Sequence, residues 1–407
     1  MRISFTQITI IVVGALIVIG AIWLVVSYFT TGVLRVETGQ NARVERFEIA
    51  ENSQQARKLG TGPVVSQRLD PGTYTVTAEN AEGETRTDTT VQKRQTTEVQ
   101  LKVEEAGKFQ ELTRGNAYNI ISQAGRLRFL DQNLKRLYQL EAAGQRPENV
   151  FPGLSPVSSI TWAGYDSAFV QLENNAYKAL ASGNVKPFRY PPDARPSTDN
   201  IPSLASHDIN DRGQMAVNIE GSLYRYPSVD AEPDKLRDLP SQSSQIALSD
   251  TGSIFIFHPP VTGENSQSQP SNLIVGSQAS MPDAMKNTHV LNAEWSPSGN
   301  KLLLAKKNGL HVYDKAEQQL SRVMQFLPDN ADSLLWRDEN RLLMVDDGAV
   351  WQLHIGEQKW RKMADTPDPV RHNNPLTLGQ DGRTLYMGTT SQGLENAGSL
   401  YQLRLPQ

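Results

Sequence analysis

A turn of the form Ser-x-x-Gly, or a variant of it, recurs seven times between apolar stretches from residue 122 onward. The recurrences are separated by roughly 39 to 48 residues, and a four-stranded propeller blade takes about 40 to 45. A strand follows each turn, and a pair of residues suited to a tight hairpin follows in four repeats, at Asn174-Asn175, Glu220-Gly221, Asn308-Gly309 and Asp347-Gly348. The spacing predicts a seven-bladed β-propeller over residues 108–407. The turns begin at Ser122, Trp162, Asn210, Ser249, Ser296, Trp336 and Gly379.

The first repeat also fits a different element. Leu127, Leu130, Leu134 and Leu137 have the spacing of one helix face. The run Asp131-Gln132-Asn133, however, lies where the first blade needs a hairpin. Because the sevenfold register spans the whole region, we expect strands here and not a helix.

Two turns carry a family resemblance in their letters. Ser296-Pro-Ser-Gly and Ser249-Asp-Thr-Gly resemble the Ser-Pro-Asp-Gly repeats of TolB-like and WD40-like propellers. The resemblance extends by letter to the fourth, fifth and seventh repeats, and by period to all seven. It implies the fold alone, since propellers serve many unrelated functions.

Closure of the ring is predicted from its two ends. The strand at 399–405 leaves the seventh blade one strand short, and residues 108–113 stand before the first blade with no other partner. Pairing of 108–113 with the C-terminal strand would complete the blade and remove an exposed sheet edge.

An uncharged apolar run, ITIIVVGALIVIGAIWLVVSYF, extends from Ile8 to Phe29. It matches the ~20 residues that a helix needs to span a bilayer. Trp23 and Phe29 lie toward its C-terminal end, where aromatic rings favour the headgroup layer. A cleaved leader, the alternative, would have a shorter apolar core and a small-residue cleavage site. We therefore predict an uncleaved transmembrane signal anchor at 8–29.

The orientation of this span rests on the residues that flank it. Arg2 precedes the span, whereas Arg35, Arg43 and Arg46 follow it, so a bare count opposes a cytoplasmic N-terminus. Those arginines alternate with glutamates and begin a folded domain, which translocates largely regardless of its charge. We predict a short cytoplasmic tail at 1–7, a single pass through the cell membrane, and an extracytoplasmic location for the bulk of the chain.

Residues 32–103 predict a small all-β domain. The stretches 32–37, 74–78 and 97–103 place apolar residues at every second position, as half-buried strands do. Asp70-Pro71-Gly72 is a turn, in which proline presets φ and glycine supplies a positive φ.

The letters of this domain resemble a family. LDPGTYTV, from Leu69 to Val76, and GVLRV at 32–36 are similar to the PEGA domain, an immunoglobulin-like β-sandwich found beside bacterial membrane helices. The resemblance implies a spacer or an envelope-binding module without catalytic residues.

Composition excludes several kinds of site. The chain has no cysteine, which removes disulfides, thiolate metal sites and cysteine nucleophiles. The net charge is -4, and no lysine or arginine run occurs, so the basic footprint of a nucleic-acid-binding protein is missing. Nucleic acid is therefore not an expected partner.

No linear motif indicates catalysis. The histidines occur singly, without a His-x-His or His-Glu-x-x-His pattern. Asp346 and Asp347 directly precede Gly348 and are expected to be turn residues. We expect no enzyme activity, no cofactor and no metal. The histidines are His207, His258, His289, His311, His354 and His372.

Long polar insertions are expected to gather on one propeller face, because the second connection of a blade and the connection to the next blade share that face. Loops on a rigid scaffold commonly carry recognition, although polar insertions can also be merely tolerated. The predicted binding loops are represented by Pro191, Arg195, Pro259, Glu264, Asn272, Asp365, Arg371, Gln392 and Glu395.

Three functions are compatible with this sequence. The first is a membrane-anchored binding or scaffold protein that engages envelope proteins or glycans. The second is a propeller hydrolase or lyase with its site at the central channel, where clustered acidic or histidine side chains would favour it. The third is a structural envelope spacer.

Overall fold

The computed structural model divides into two compact units, residues 1–106 with 358–361 and residues 107–357 with 362–407. Each unit has hydrophobic core clusters of its own. The structure describes residues 30–48, 56–114, 117–131, 133–141, 145–196, 202–259, 272–276, 281–324, 334–346, 348–367, 376–388 and 399–406.

The first unit is built around two long strands that fold over together. The first half of β1 pairs with the end of β2 and, in parallel, with β5, whereas its second half pairs with the start of β2 and with β3. Gly39, with φ 67°, lies at the bend, where a positive φ costs glycine little. The strands are β1 (Gly32–Glu48), β2 (Ala56–Leu69), β3 (Gly72–Glu79), β4 (Glu84–Val91) and β5 (Thr96–Gln100).

The two halves of β1 bury alternate side chains in one core. Leu34 and Val36 from the first half and Val44 from the second pack with Val76 of β3. The predicted all-β domain therefore has one core, which both halves of the bent strand β1 line, while the stretch 56–69, with Gly60, was not predicted as a strand.

Tyr74 in β3 forms a hydrogen bond with the turn at the start of this strand. Its hydroxyl donates a hydrogen bond of 2.7 Å to the carbonyl oxygen of Asp70, and the ring is buried. The hydroxyl of Tyr74 therefore binds the backbone of the Asp-Pro-Gly turn predicted at 70–72, while the ring of Tyr74 is buried in the core.

The second unit contains seven antiparallel groups of strands, six of which consist of consecutive strands and the seventh of which is completed by the first strand of the unit. It begins with β6 (Gln110–Arg114). The first three sheets are β7 (Ala117–Gln123), β8 (Arg126–Asp131), β9 (Arg136–Leu140) and β10 (Glu148–Val150); β11 (Val157–Gly164), β12 (Ser167–Leu172), β13 (Tyr177–Ala181) and β14 (Asn184–Pro187); and β15 (Leu204–Ile209), β16 (Met215–Ile219), β17 (Ser222–Tyr226) and β18 (Asp234–Asp238).

The remaining sheets follow the same meander. The fourth has three described strands, and the seventh takes β6 as its outer strand. They are β19 (Gln245–Leu248), β20 (Ile254–Phe257) and β21 (Leu273–Val275); β22 (Asn292–Trp295), β23 (Lys301–Lys306), β24 (Gly309–Asp314) and β25 (Gln319–Met324); β26 (Leu335–Asp338), β27 (Arg341–Asp346), β28 (Ala349–His354) and β29 (Lys359–Asp365); and β30 (Leu376–Leu378), β31 (Thr384–Gly388) and β32 (Ser399–Arg404).

The first strands of successive sheets lie side by side in a closed circle. Strand β7 contacts β11, β11 contacts β15, and the series continues through β19 and β22, then from β26 through β30 back to β7. The indole of Trp336 in β26 donates to the carbonyl of Glu294 in β22, which joins the fifth and sixth sheets. Seven sheets whose innermost strands form a ring are a β-propeller.

The recurring Ser-x-x-Gly turns connect the first and second strands of the blades. In four of them the glycine N–H donates to the carbonyl of the first turn residue, as from Gly252 to Ser249 and from Gly299 to Ser296. These glycines have φ values of 82° and 70°, a conformation that residues with a Cβ seldom adopt. The glycine of the repeat is therefore explained by the backbone conformation of these turns.

The seventh blade unites distant parts of the chain. Strand β6 pairs antiparallel with β32, with Thr113 opposite Leu400 and Glu111 opposite Tyr401. Leu112 and Leu400 are buried in one cluster with Phe129 of the first blade.

The stretch with helical leucine spacing forms strands. Residues 126–131 and 136–140 are β8 and β9, and the Asp131 carboxylate accepts the N–H groups of Asn133 and Leu134 in the hairpin between them. The prediction of strands in this segment, which was based on the sevenfold register, is confirmed.

Helices are few among the described residues. A 3₁₀ turn spans Pro192–Ala194 and a short α-helix spans Asp283–Lys286. Within the part of the chain that the structure describes, no helix has the length and apolarity to span a bilayer. The predicted tail at 1–7 and span at 8–29, with Ile8, Trp23 and Phe29, lie outside the described residues.

Candidate functional site

The two faces of the propeller are bounded by different connections. One face, termed the turn face, carries the short turns between the first and second strands of each blade. The opposite face, termed the loop face, carries the turn between the second and third strands and the connection to the next blade. This follows from the antiparallel order of the strands in each sheet.

Tryptophans near the ends of inner strands connect neighbouring blades. Trp295 donates its indole N–H to the carbonyl of Ala247 in the preceding blade at 3.0 Å. Trp336 donates in the same way to Glu294 at 3.1 Å, and Trp162 to Asn119. Each bond satisfies a backbone carbonyl of the preceding blade and links two neighbouring blades.

Two carboxyl groups occupy equivalent places on inner strands. Asp208 stands two residues before the turn at Asn210, and Glu294 stands two residues before the turn at Ser296. Asp208 accepts the N–H of Leu248 in the next blade at 2.6 Å. Glu294 accepts the backbone N–H of Trp336, also in the next blade. These carboxyls therefore link consecutive blades.

Burial shifts the pKa values of these groups. It raises the pKa of Asp208 to about 6 despite the backbone N–H groups that Asp208 accepts. Burial, and then the charge of Asp208, raises the pKa of Glu294 to about 8. Near neutral pH the Glu294 carboxyl is therefore mostly protonated, whereas Asp208 is mostly ionised.

His207 adjoins the carboxyl of Asp208 in sequence and faces the preceding blade. Its Nε2 lies 2.8 Å from the hydroxyl of Thr161, and its ring packs edge-on against Phe169 at 4.8 Å. Burial lowers the pKa of His207 to about 4, so the ring is neutral at physiological pH. In this setting the histidine is a packed, hydrogen-bonded inner-strand residue.

The sequence did not single out Asp208 or Glu294. Their signal is an acidic residue at the same offset from two repeated turns, which an alignment of the blades with one another would have found. Among the described residues, no group of three or more His, Asp or Glu side chains is placed to hold a metal ion.

The turn face is joined from blade to blade by short hydrogen bonds. The Asp250 carboxylate accepts the N–H of Asp211 at 2.8 Å, and Asn210 donates to the carbonyl of Ser249 at 2.9 Å. Glu339 accepts the N–H of Ser298 at 2.7 Å. The polar groups of these turns are therefore engaged with each other.

The loop face carries the predicted binding residues in different settings. Arg195 and Asp365 are exposed, and Asp365 forms an ion pair of 2.6 Å with Lys362. Pro191 is buried, and Pro259 is half-buried. The structure thus brings an exposed arginine and an exposed aspartate to this face, on different blades.

Asn272 has a different role from the one expected of a binding residue. It is 3% exposed, and its side chain donates to the carbonyls of Met285 and Thr288 at 2.7 and 2.8 Å. Its Oδ1 accepts the N–H of His258. Because every polar atom of this amide holds the protein's own backbone, Asn272 is corrected from a contact residue to a loop anchor. Glu264, Arg371, Gln392 and Glu395 lie outside the described residues.

The segment that leads to Arg195 rests on an aromatic base. Phe188 packs edge-on against Phe169 at 5.1 Å and against Tyr190 at 5.0 Å. The hydroxyl of Tyr224 donates to Asp193 at 2.8 Å. Residues 188–193 are therefore held by packing and by a hydrogen bond, and Arg195, two residues further on, is exposed.

Two exposed leucines also lie on the loop face. Leu134 is 48% exposed in the hairpin of the first blade, and Leu291 is 37% exposed just before β22. The two leucines belong to the first and fifth blades and Arg195 to the connection between the second and third, so the loop face exposes separate apolar and charged side chains.

Comparisons with known proteins give similarity at the level of fold alone. No family model and no curated protein matches the chain. A structure described as YCF48 bound to D1 peptide has 13% identity and a TM-score of 0.47, covering 75% of this chain and 99% of that one. YCF48 from Cyanidioschyzon merolae has 11% identity and a TM-score of 0.47, covering 74% and 99%.

A third structure is larger than this chain. The extracellular domain of the putative one component system BT4673 from B. thetaiotaomicron has 12% identity and a TM-score of 0.46, over 72% of this chain and 39% of that one. The match thus spans well under half of that chain. The propeller assignment rests on the seven sheets of this chain and their circular order.

Proposed function

We propose that this chain is a single-pass membrane protein whose extracytoplasmic propeller binds an envelope protein through its loop face. The observation that carries the proposal is the difference between the two faces. On the turn face, backbone and side-chain polar groups bond to neighbouring blades. On the loop face, Arg195, Leu134 and Leu291 are exposed.

The membrane anchor and the orientation come from the apolar run at 8–29 and its flanking residues. An anchored propeller with an extracytoplasmic loop face would meet partners of the cell envelope. The resemblance of residues 32–103 to a PEGA domain agrees with this placement, since such domains adjoin membrane helices.

Site-specific photo-crosslinking in intact cells tests the binding face. A photoreactive amino acid at Arg195 or at Leu291 is expected to give adducts with a protein partner. The matched control is Glu317, which is exposed on the turn face. Adducts from Glu317 alone would overturn the proposed face, and adducts from none of the three would favour the spacer. Capture of purified glycans without any protein adduct would replace the protein partner by a glycan.

The hydrolase or lyase alternative has one observation in its favour, the raised pKa values of Asp208 and Glu294. Enzymes often tune carboxyl groups in this way. Here both carboxyls accept backbone N–H groups of the next blade, which gives them a structural role, and we therefore propose binding. Turnover of envelope glycans that is lost on Glu294→Gln, with the fold intact, would favour the enzyme.

A further inference from the structure

Strand β2 forms one edge of the sheet in the first unit. The order of strands in that sheet begins with β2, β1, β3 and β4, and β5 pairs with β1. Within the described part of the chain, β1 is therefore the partner of β2 on one side and no strand pairs with β2 on the other. The segment 64–69 is the regular part of β2, because its register with residues 32–37 of β1 runs without a shift.

The hydrogen bonds of β1 determine which backbone groups of β2 point outward. Val33 donates its N–H to the carbonyl of Gln95 at 2.8 Å, and the carbonyl of Glu37 accepts the N–H of Leu101 at 2.8 Å. The odd-numbered residues in this half of β1 therefore bond toward β5. Because the two sides of a strand are used by alternate residues, the even-numbered residues bond toward β2.

The register carries this alternation over to β2. Val36 of β1 lies opposite Val65, so Val65 directs its N–H and carbonyl toward β1. The neighbouring residues Val64 and Ser66 direct theirs to the other side, which is the outer edge of the sheet.

This edge is exposed and uncharged. Val64 is 49% exposed, Ser66 and Gln67 are exposed as well, and residues 59–67 include no charged side chain. A strand edge with these properties is a template for a further strand, whereas charged side chains on an edge oppose such pairing. The outer strands β14 and β18 of the propeller carry charges of this protective kind, one in β14 and four in β18.

The edge is complementary to a second copy of itself. Antiparallel pairing about a two-fold axis at Ser66 places Ser66 opposite Ser66 of the partner subunit and Val64 opposite the partner subunit's Arg68, so no like charges face each other. This pairing uses only the regular segment 64–68 of each copy. An axis at Arg68 would oppose two arginines, and an axis at Val64 would extend the pairing beyond residue 64 into the register shift of β2.

We propose that two copies of this chain associate by antiparallel pairing of their β2 edges, centred on Ser66. Each Ser66 donates its backbone N–H to the Ser66 carbonyl of the other copy, as in a hydrogen-bonded antiparallel pair. The same patch serves both subunits, which is the symmetric arrangement most common in dimers. The pairing uses residues of the first unit alone and does not draw on the loop face of the propeller.

Disulfide cross-linking of the full chain tests the register, since the chain has no cysteine of its own. Ser66→Cys is expected to form a covalent dimer under mild oxidation. The Cα atoms of a hydrogen-bonded antiparallel pair are about 5.5 Å apart, within the reach of a disulfide. Thr61→Cys is the matched control, because residue 61 is also exposed on β2 but its two copies would be on the order of 30 Å apart. A monomeric S66C protein, or equal dimer formation by T61C, would overturn the pairing.

An exchange of charges tests the association without oxidation. Detergent-solubilised full chains carry a donor or an acceptor dye at Glu82→Cys, an exposed position, and energy transfer between chains should rise with protein concentration. S66K and S66E each place like charges opposite each other, which should raise the dissociation constant by about fivefold or more. A mixture of S66K donors and S66E acceptors should restore the transfer. The control L236K, which adds a charge to the exposed strand β18, should leave the transfer unchanged.

Each outcome of the energy-transfer measurement bears on a different part of the inference. Transfer that is undiminished in S66K would place the contact elsewhere on the chain and overturn the β2 edge. No transfer between parent chains at any concentration would overturn the self-association. A loss in both variants that their mixture does not restore would overturn the two-fold axis at Ser66. None of these results affects the loop face, which photo-crosslinking at Arg195 tests separately.

Discussion

Trp336 is bound to Glu294 at two points. Its indole N–H donates to the Glu294 carbonyl at 3.1 Å, while its backbone N–H donates to the Glu294 carboxyl. One residue of the sixth blade thus satisfies both the main chain and the side chain of one residue in the fifth. The contact joins two inner strands by hydrogen bonds in a region where Trp336 is only 4% exposed.

Trp336→Phe is expected to destabilise the propeller by about 1–3 kcal/mol, because the buried carbonyl of Glu294 loses its donor. Urea denaturation of the full chain in detergent, followed by far-UV circular dichroism, measures the change. Trp295→Phe should behave alike, since its indole donates to Ala247. A W336F protein as stable as the parent would show that the bond contributes nothing.

Leu112→Ala is expected to cost about 2–4 kcal/mol, as core leucine truncations do. Leu112 is 5% exposed on β6 and packs with residues of the seventh and first blades. The same denaturation measurement, combined with limited proteolysis near residue 399, reports the loosening of the closing strand pair. Leu134→Ala is the control, because its exposed side chain predicts a change within about 0.5 kcal/mol. Equal effects of the two substitutions would contradict the packing of β6.

Glu294→Gln is expected to stabilise the protein at alkaline pH. The folded pKa of Glu294, about 8, is above its ordinary value of 4.5. Between these values the folded state retains a proton that the unfolded state has released, so stability falls as pH rises and the loss is complete above pH 8. The variant should be more stable than the parent by roughly 2–4 kcal/mol at pH 9 and nearly equal to it at pH 5.

Urea denaturation of the parent and of Glu294→Gln from pH 5 to pH 9 measures the difference in their free energies of unfolding. This difference reports on Glu294 alone, because His207 and Asp208 are present in both proteins. Asp208→Asn should move the window to lower pH, since it removes the charge that helps to raise the pKa of Glu294. A difference that is constant from pH 5 to pH 9 would contradict the raised pKa.

Tyr74→Phe is expected to destabilise the first unit by about 1 kcal/mol, because it removes the 2.7 Å bond to the Asp70 carbonyl and leaves the ring in place. Hydrogen exchange of the amides at 72–79 measures the effect on this unit without interference from the propeller. Thr73→Val is a control, since its hydroxyl meets Thr90 in an exposed pair. Faster exchange in T73V than in Y74F would contradict the role of Tyr74.

The parts of the fold that the sequence predicted are those set by local backbone chemistry. In five of the seven turns the fourth residue is a glycine with a positive φ, as at Gly252 and Gly299, so the period of the blades can be recognised from residue types. The hairpin at Asp131 was predictable for the same reason, because its carboxylate caps nearby N–H groups.

The parts that could not be predicted depend on contacts between distant segments. Strand β2 contains Gly60, Gly62 and Pro63 and lacks a regular alternation of apolar and polar residues, because it bends together with β1. Asn272 was predicted to contact a partner because it lies in a polar insertion. Its side chain instead donates to the carbonyls of Met285 and Thr288, which lie on the connection to the fifth blade. The linking roles of Asp208 and Glu294 appear only once neighbouring blades are in place.

The pairing of β6 with β32 joins two segments that are synthesised at different times. Residues 110–114 leave the ribosome well before residues 399–404 are made, so this outer strand must wait without its partner while six blades and most of the seventh are translated. Strand edges of that kind promote association between chains. A chain translocated during translation would therefore need β32 to pair rapidly with β6. Chaperones that bind extended segments would bind residues 110–114 first.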